Sequence, residues 1–247
     1  MFSPTHLGIL IGAAILITVL LIYCVKKKVP LETVLTVMVV VTIFSELGKV
    51  FSRIVVEGGV ALLAPEFLPL HLCSIQIFLF WYLKFFCKSE SVKKTLLAFM
   101  YPTCLMGGIA ALVIATVTPV SFANPEIYEY FGYHTMVVFF GLYVALTHQV
   151  DLTWKRLLRT LEILAILYFF SIYANSVFSA GGKLTNFLYS AFPPMEGLPY
   201  LNFSFFGRTL ANEKLGWMFY LLKMIFLGGI LMLATYAPFL FRRRRAA

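Results

Sequence analysis

Long apolar runs constrain the fold of this chain more than any other feature of its sequence. A helix needs roughly 20 mostly apolar residues to cross the hydrocarbon core of a bilayer, where its backbone amides must be satisfied internally. Seven stretches approach that length, and we predict spans at 7–25, 31–52, 67–87, 93–115, 131–149, 156–178 and 215–240. The predicted fold class is therefore all-α: a polytopic membrane helical bundle with seven transmembrane helices.

Composition supports the same class. Of the 247 residues, 61% are hydrophobic and 13% are charged, which is far from the usage of a soluble domain. The spans leave no room for a soluble catalytic domain or a nucleic-acid module, so we expect a single transmembrane domain over 1–247. The segment 179–214 is long, aromatic and rich in Pro, Gly and Asn. It is predicted to be an extracytoplasmic loop, and loops of this length are often functional.

Basic residues predict the orientation of the bundle. If the helices alternate in direction, most of the Lys and Arg residues fall on one side: Lys26, Lys27, Lys28, Lys84, Lys88, Lys93, Lys94, Lys155, Arg156, Arg159 and Arg242 to Arg245. Cytoplasmic loops carry this excess, so we predict an N-terminus outside, a C-terminus in the cytoplasm and a multi-pass location in the cell membrane. The net charge of +9 then reflects topology, and no nucleic-acid partner is expected. Lysines follow span 1 instead of preceding it, which favours a retained anchor over a cleaved signal peptide.

Polar side chains collect in the outer half of the predicted bundle. In span 2 they recur at spacings of four, three and four, which places Thr42, Glu46, Lys49 and Arg53 on one helical face. Charges facing lipid are costly, so this face should meet other helices or water. Four spans are predicted to bring a polar set to one depth: Glu46, Lys49, His71, Cys73, His134 and Asn175. This arrangement predicts a polar pocket open to the outside.

Cys73 is the best candidate for a reactive group in that pocket. A thiol near a helix N-terminus lies at the positive end of the helix dipole, which favours the thiolate. His71 is a poor partner for Cys73, because positions i and i+2 of a helix point apart, so His134 from another span is the better base. The alternatives are structural: a buried cysteine often acts as a small apolar residue, and the histidines could be hydrogen-bonded core residues.

The remaining polar candidates also have structural alternatives. Glu46 could pair with Lys49 or Arg53 on its own helix, and Asn175 could bridge helices. A mixed set of Glu, His and Cys suits zinc, but the sequence has no diagnostic metal-ligand spacing. We therefore rank a metal site below acyl transfer and expect no metal and no cofactor.

Several short motifs, in order along most of the chain, carry a family resemblance. They are "LPLHLCS" (68–74), "GGIAALVIATVTP" (107–119), "YHTMVVFF" (133–140), "TWKRLLR" (153–159), "YANSVF" (173–178), "TNFL" (185–188) and "YAPF" (236–239). The chain resembles the YwaF-like bacterial integral membrane proteins and, more distantly, the eukaryotic transmembrane protein 164 family. The resemblance implies an all-helical bundle of six or seven spans. From the eukaryotic branch it also implies a phospholipid acyltransferase that uses a membrane cysteine, with Cys73 and His134 at the matching positions.

Two main functional hypotheses follow. The first is a membrane-embedded acyltransferase acting on lipid at the outer leaflet, with Cys73 as nucleophile and His134 as base. Its supporting residues are predicted to be His71 or Asn175 for the oxyanion and Glu46 for orienting an imidazole, with Lys49 and Asn186 also binding substrate. The second is a small transporter or a lipid- or solute-binding protein that uses the same pocket without covalent change. A structural partner of a larger complex is a third possibility, and the oligomeric state is left open.

Overall fold

The computed structural model describes residues 3–57, 59–179, 184–193, 204–205, 208–209 and 212–244. Its α-helices are α1 (Pro4–Lys27), α2 (Leu31–Arg53), α3 (Leu72–Trp81), α4 (Glu90–Val113), α5 (Glu126–Leu146), α6 (Trp154–Phe178) and α7 (Glu213–Arg244). Two short antiparallel hairpins accompany them, β1 (Val55–Glu57) with β2 (Val60–Leu62) and β3 (Ser204–Phe205) with β4 (Arg208–Thr209). Much of the predicted loop 179–214 lies outside the described residues, as does Arg245.

Each predicted span overlaps one helix of the structure. Within the described residues, five helices are long and apolar enough to cross a membrane, namely α1, α2, α4, α6 and α7. The chain is therefore a multi-pass membrane protein with an all-helical architecture. The apolar stretch of α3 continues through one π-helical turn, Tyr82–Phe86, and remains shorter than a full span. The count of seven spans and the orientation of the termini stay predictions.

The two helix starts that differ most from the predicted bounds are those of α3 and α5. We predicted the third span from 67, but a 3-10 turn occupies Pro65–Phe67 and α3 begins at Leu72. Leu68 is extended because a residue before proline is excluded from the helical region. His71 is consequently the N-cap residue of α3, and Cys73 is its second helical residue. Helix α5 begins at Glu126, five residues before the predicted 131.

Contacts between Cα atoms divide the chain into two compact units, Met1–Leu152 and Thr153–Ala247. In the first unit α5 packs against α1, α2 and α4, and α3 packs against α4. Large side chains between these helices are fully buried, among them Phe80, Phe99, Met100, Phe140 and Tyr143. The prediction of a single transmembrane domain is not tested by this division and stays a prediction.

Glycines let α4 and α5 approach each other closely. A Cβ atom added at Gly141 of α5 would lie 3.0 Å from the Tyr101 carbonyl oxygen of α4. A Cβ atom added at Gly108 of α4 would lie 2.6 Å from Val138 Cγ2 and 3.2 Å from the His134 carbonyl oxygen of α5. Small residues at such crossings allow backbones to meet, which is the usual means of helix association in a bilayer.

The second unit is built on α6 and α7, which pack together around Tyr168, Tyr220 and Leu221. The Thr160 and Tyr236 hydroxyls share a hydrogen bond of 3.1 Å across this pair. The segment 184–193 packs on α6, where the Asn175 side chain holds the turn around Phe187. This unit has its own buried core and its own polar contacts.

Replacing Gly141 by alanine tests the close packing of α4 and α5. Gly141→Ala should destabilise the protein by about 1–3 kcal/mol, as overpacking of a filled core does, because the Tyr101 carbonyl belongs to the backbone and cannot rotate away. Thermal unfolding of the purified protein in detergent measures the effect.

Gly132→Ala is the matched control on the same helix, since an added Cβ there meets nothing within 4 Å. Alanine is the better helix former by about 1 kcal/mol, so this variant should unfold at the same temperature as the wild type or higher. Equal destabilisation by both variants would contradict the packing argument.

Candidate active site

The polar face predicted on α2 is present, and its charges are paired. Lys49 Nζ donates to Glu46 Oε1 at 2.6 Å on the same helix. Arg53 reaches Glu126 of α5 at 2.7 Å, and its guanidinium lies 4.8 Å from the centre of the Phe67 ring. The structural alternative for Glu46, pairing with Lys49, is therefore realised in this structure.

A second carboxylate faces the same side of α2. Ser45 Oγ donates to Glu129 Oε1 of α5 at 2.6 Å. Gly48 makes room for it, because a Cβ atom there would lie 3.1 Å from Glu129 Cγ. Glu129 is an electrostatic neighbour of Lys49, Glu46 and His134. The α2–α5 contact is thus a dense group of charges beside the predicted base.

Cys73 lies in the first turn of α3, against α4 and α5. A Cβ atom added at Gly107 of α4 would lie 3.4 Å from the Cys73 backbone nitrogen and 3.5 Å from its Cβ. From α5, the Tyr133 hydroxyl donates to the Cys73 carbonyl oxygen at 2.7 Å. The half-buried thiol lies 3.9 Å from Ser74 Oγ. Contacts from two helices therefore fix the position of this cysteine.

His134 is the residue of α5 that is predicted to pair with the thiol. It is 7% exposed, and its imidazole is an electrostatic neighbour of the Cys73 thiol. The rings of Tyr130 and Tyr133 lie beside it, with centroids 4.5 Å and 5.3 Å from the imidazole. The structure thus places His134 of α5 beside the start of α3, and the pairing of this histidine with Cys73 stays a prediction.

The Tyr130 carbonyl selects the tautomer of His134. His134 Nδ1 lies 2.6 Å from this oxygen, and a carbonyl oxygen can only accept, so Nδ1 carries the hydrogen. In the neutral ring the lone pair is then on Nε2. The bond at Nδ1 sets the orientation of the ring and leaves Nε2 as its basic nitrogen.

His71 lies beside the same group of residues. As the N-cap residue of α3 it makes no side-chain capping hydrogen bond. Lys49 is its electrostatic neighbour, which connects the start of α3 to the polar face of α2. The first unit thus brings together five of the predicted site residues: Glu46, Lys49, His71, Cys73 and His134.

Asn175 and Asn186 belong to the second unit, where both side-chain amides are engaged. Asn175 Nδ2 donates to the Phe187 carbonyl at 3.1 Å and to Ser190 Oγ at 2.9 Å, while its Oδ1 accepts from the Phe187 amide at 2.7 Å. Asn186 Nδ2 donates to the Phe192 carbonyl at 2.8 Å, and its Oδ1 accepts from the amides of Ala191 and Phe192. The bonds of Asn175 hold the 185–192 segment on α6, and those of Asn186 lie within the segment.

Sequence reasoning missed three residues around Cys73 and His134, namely Glu129, Tyr130 and Tyr133. Glu129 and Tyr130 were assigned to a loop because the fifth span was predicted to begin at 131. Tyr130 acts through its backbone oxygen, which no sequence pattern reveals. A usable signal existed for Tyr133, since it directly precedes His134 in the motif "YHTMVVFF".

Of the other cysteines, Cys104 of α4 is an electrostatic neighbour of Cys73. Cys24 and Cys104 are buried, and Cys87 Sγ lies 3.5 Å from the Ser89 carbonyl oxygen. Among the described residues, no group of three or more His, Cys, Asp and Glu side chains is placed to hold a metal ion. The described groups at this site include a thiol, an imidazole and paired charges.

Comparison with known proteins gives one family. The model described as the TMEM164 family matches residues 1–236, which is nearly the whole chain. No curated protein and no solved structure matches it.

Removing the imidazole should slow alkylation of Cys73. We expect iodoacetamide to modify Cys73 in His134→Gln at least about tenfold more slowly than in the wild type, because glutamine cannot take the proton of the thiol. Timed alkylation near neutral pH, followed by mass spectrometry of the peptide that contains residue 73, measures the rate.

His6→Gln is the matched control, because His6 is also buried and its Nε2 lies 2.8 Å from the Leu112 carbonyl oxygen. Its Cys73 should react at the wild-type rate. Equal slowing in both variants would mean that His134 acts only through the fold.

Proposed function

The chain belongs to the TMEM164 family, and from that membership and the site geometry we propose that it is a membrane-embedded lipid acyltransferase. Cys73 is the nucleophile and His134 is the general base. The substrate class is a membrane lipid that carries an ester-linked acyl chain, and the acceptor is a second lipid hydroxyl. The proposal requires no metal ion and no soluble cofactor.

One observation carries this proposal. A thiol at the start of a helix is an electrostatic neighbour of a histidine whose Nδ1 is bonded to a backbone carbonyl. Nucleophilic catalysis by cysteine needs such a pair, with a base beside the thiol and a third group that orients the base. The Tyr130 carbonyl is the orienting group here, a role that we had predicted for Glu46.

In the first half-reaction the Cys73 proton passes to His134 Nε2 and the sulfur attacks the ester carbonyl carbon of the donor lipid. A C–S bond forms and the carbonyl electrons move to oxygen. When the carbonyl is restored, the ester C–O bond breaks and the leaving alkoxide takes the proton from the imidazolium. The products are a lipid alcohol and a thioester at Cys73.

The second half-reaction reverses these roles. The acceptor hydroxyl gives its proton to His134 Nε2 as its oxygen attacks the thioester carbonyl carbon. A C–O bond forms, the C–S bond breaks, and the departing sulfur recovers the proton from the imidazolium. Two transfers with lower barriers replace one that is difficult.

The first turn of α3 is suited to stabilise the oxyanion of both intermediates. The first backbone N–H groups of a helix have no partner within it, and α3 has no side-chain cap to occupy them. Amides aimed at a developing negative charge stabilise it without reorganisation. We assign this role to the α3 amides together with His71, in place of Asn175, whose amide is engaged within its own unit.

The paired charges provide a place for the polar part of the lipid. We assign Lys49 and Glu46 to headgroup binding, since both lie on the polar face of α2 and Lys49 neighbours His71. The substrate-binding roles of Asn175 and Asn186 stay predictions, since their side chains bond within the second unit. The proposal also includes the finer topology, with seven spans, an external N-terminus, a cytoplasmic C-terminus, a location in the cell membrane and a site in the outer leaflet.

The ion pairs on α2 also favour the second candidate, a transporter or lipid-binding protein. Charged groups inside a membrane protein commonly mark the path of a solute, and the pairs Lys49–Glu46 and Arg53–Glu126 are such groups. Transport or binding without covalent change does not need the thiol of Cys73. The two candidates therefore differ in their response to one substitution.

A covalent acyl-enzyme is the expected signature of the proposed function. The wild-type protein, reconstituted in vesicles with a phospholipid that bears an alkyne-tagged acyl chain, should acquire the tag at Cys73. Neutral hydroxylamine should remove it, because a thioester is cleaved under conditions that an oxygen ester survives. The tag is measured by coupling to a fluorophore and by mass spectrometry.

Cys73→Ser should lose the hydroxylamine-sensitive tag, and Cys24→Ser, which removes a buried thiol of α1, should keep it. His134→Gln should lower the labelling rate by about 10²–10⁴, the usual contribution of a general base. The acyltransferase proposal would be contradicted if the wild-type protein never becomes tagged and Cys73→Ser binds lipid as the wild type does. That result would favour the binding or transport candidate.

A further inference from the structure

The hairpin β1–β2 joins α2 to α3 and has an unusual surface. It pairs Val55 with Leu62 and Val56 with Ala61. Opposite partners in an antiparallel pair share a face, so Val55 and Leu62 lie on one face and Val56 on the other. Each of these three side chains is at least half exposed, and Val56 is 70% exposed.

Both faces of the hairpin are therefore apolar and uncovered by the described part of this chain. An antiparallel sheet that meets water normally buries one face and carries polar side chains on the other. Here the strands offer valine, alanine and leucine, and the segment 54–64 contains a single ionisable residue, Glu57. Water is a poor environment for such a surface.

The exposed apolar surface continues into α2. Leu47 and Phe51 lie one turn apart near the end of that helix and are 62% and 89% exposed. Ile54, also exposed, links them to the hairpin. In a membrane-spanning helix, this is the side that meets acyl chains. The lipid-facing side of α2 thus passes without a break into the hairpin.

The backbone sets the depth of the hairpin. Among the described residues this sheet has two strands, so the outer edge of each strand has N–H and C=O groups with no partner in the described sheet. Open sheet edges do not occur within lipid-exposed hydrocarbon, because nothing there can satisfy them. The headgroup region supplies water and polar groups, and it still lets apolar side chains reach the acyl boundary.

We propose that the hairpin β1–β2 is an interfacial membrane element, with its backbone at headgroup level and its valine and leucine side chains inserted into the phospholipid surface. It would lie directly before the segment 65–73 that leads to the thiol of Cys73, and would place lipid beside that segment. The proposal depends on the membrane location of the chain and is independent of the acyl-transfer chemistry.

Nitroxide accessibility tests this placement in the full chain reconstituted in phospholipid vesicles. A label is attached to Val56→Cys in a background where the four native cysteines are replaced by serine. Collision with oxygen, which concentrates in lipid, is compared with collision with a water-soluble nickel chelate. We expect a severalfold higher oxygen-to-nickel ratio at residue 56 than at Ala123→Cys, an exposed site in the segment between α4 and α5.

The possible outcomes are distinct. A ratio at residue 56 equal to that at residue 123 would place the hairpin in water and overturn the proposal. Low collision with both reagents would mean that protein, such as a second copy of the chain, covers the hairpin, and would overturn it as well.

A second variant, Val56→Trp, keeps the native cysteines and so does not depend on the background. After subtraction of the wild-type signal, its fluorescence should be quenched more by lipids brominated near the carbonyl end of the acyl chain than by lipids brominated at the chain terminus. Absence of quenching by either lipid would contradict insertion.

Discussion

The close approach of α3 and α5 to α4 is the constraint on which the site depends. Adjacent glycines make it possible, with Gly107 facing the backbone of Cys73 and Gly108 facing the carbonyl of His134. Lipid is as apolar as leucine, so helices in a bilayer associate through close packing and interhelical hydrogen bonds and not through apolar burial. The packing that holds the first unit together therefore also brings the thiol to the imidazole. The packing of the first unit and the proposed site thus share one contact surface.

Hydrogen bonds from α5 also help to position Cys73 and His134. The Tyr133 hydroxyl fixes the carbonyl of Cys73, and the Tyr130 carbonyl fixes the protonated nitrogen of His134. Tyr130 and Tyr133 lie within one turn of His134 in α5. A small shift of α5 would therefore move the imidazole and these two groups together. Beside them, the carboxylates of α2 and α5 are paired with Lys49, Arg53 and Ser45. Pairing of this kind is what makes charges tolerable at membrane depth.

Sequence patterns predicted the helices well and the helix starts less well. The predicted spans 31–52 and 156–178 differ from α2 and α6 by no more than two residues at either end, because hydrophobic length is a strong signal in membrane proteins. The start of α3 was predicted too early, since hydropathy does not record that proline keeps Leu68 extended. That shift matters chemically. It leaves His71 outside the helix and Cys73 among its first amides.

By itself, the sequence determined the helical class, the family resemblance and the pair of residues most capable of chemistry, Cys73 and His134. It did so because apolar length, reactive side chains and short motifs are written locally along the chain. Only the tertiary structure decided which group orients the base and that Asn175 and Asn186 bond within a separate unit. It likewise decided that Glu129 stands beside His134. Those facts depend on backbone carbonyls and on contacts between helices, and neither can be recognised from the amino-acid sequence alone.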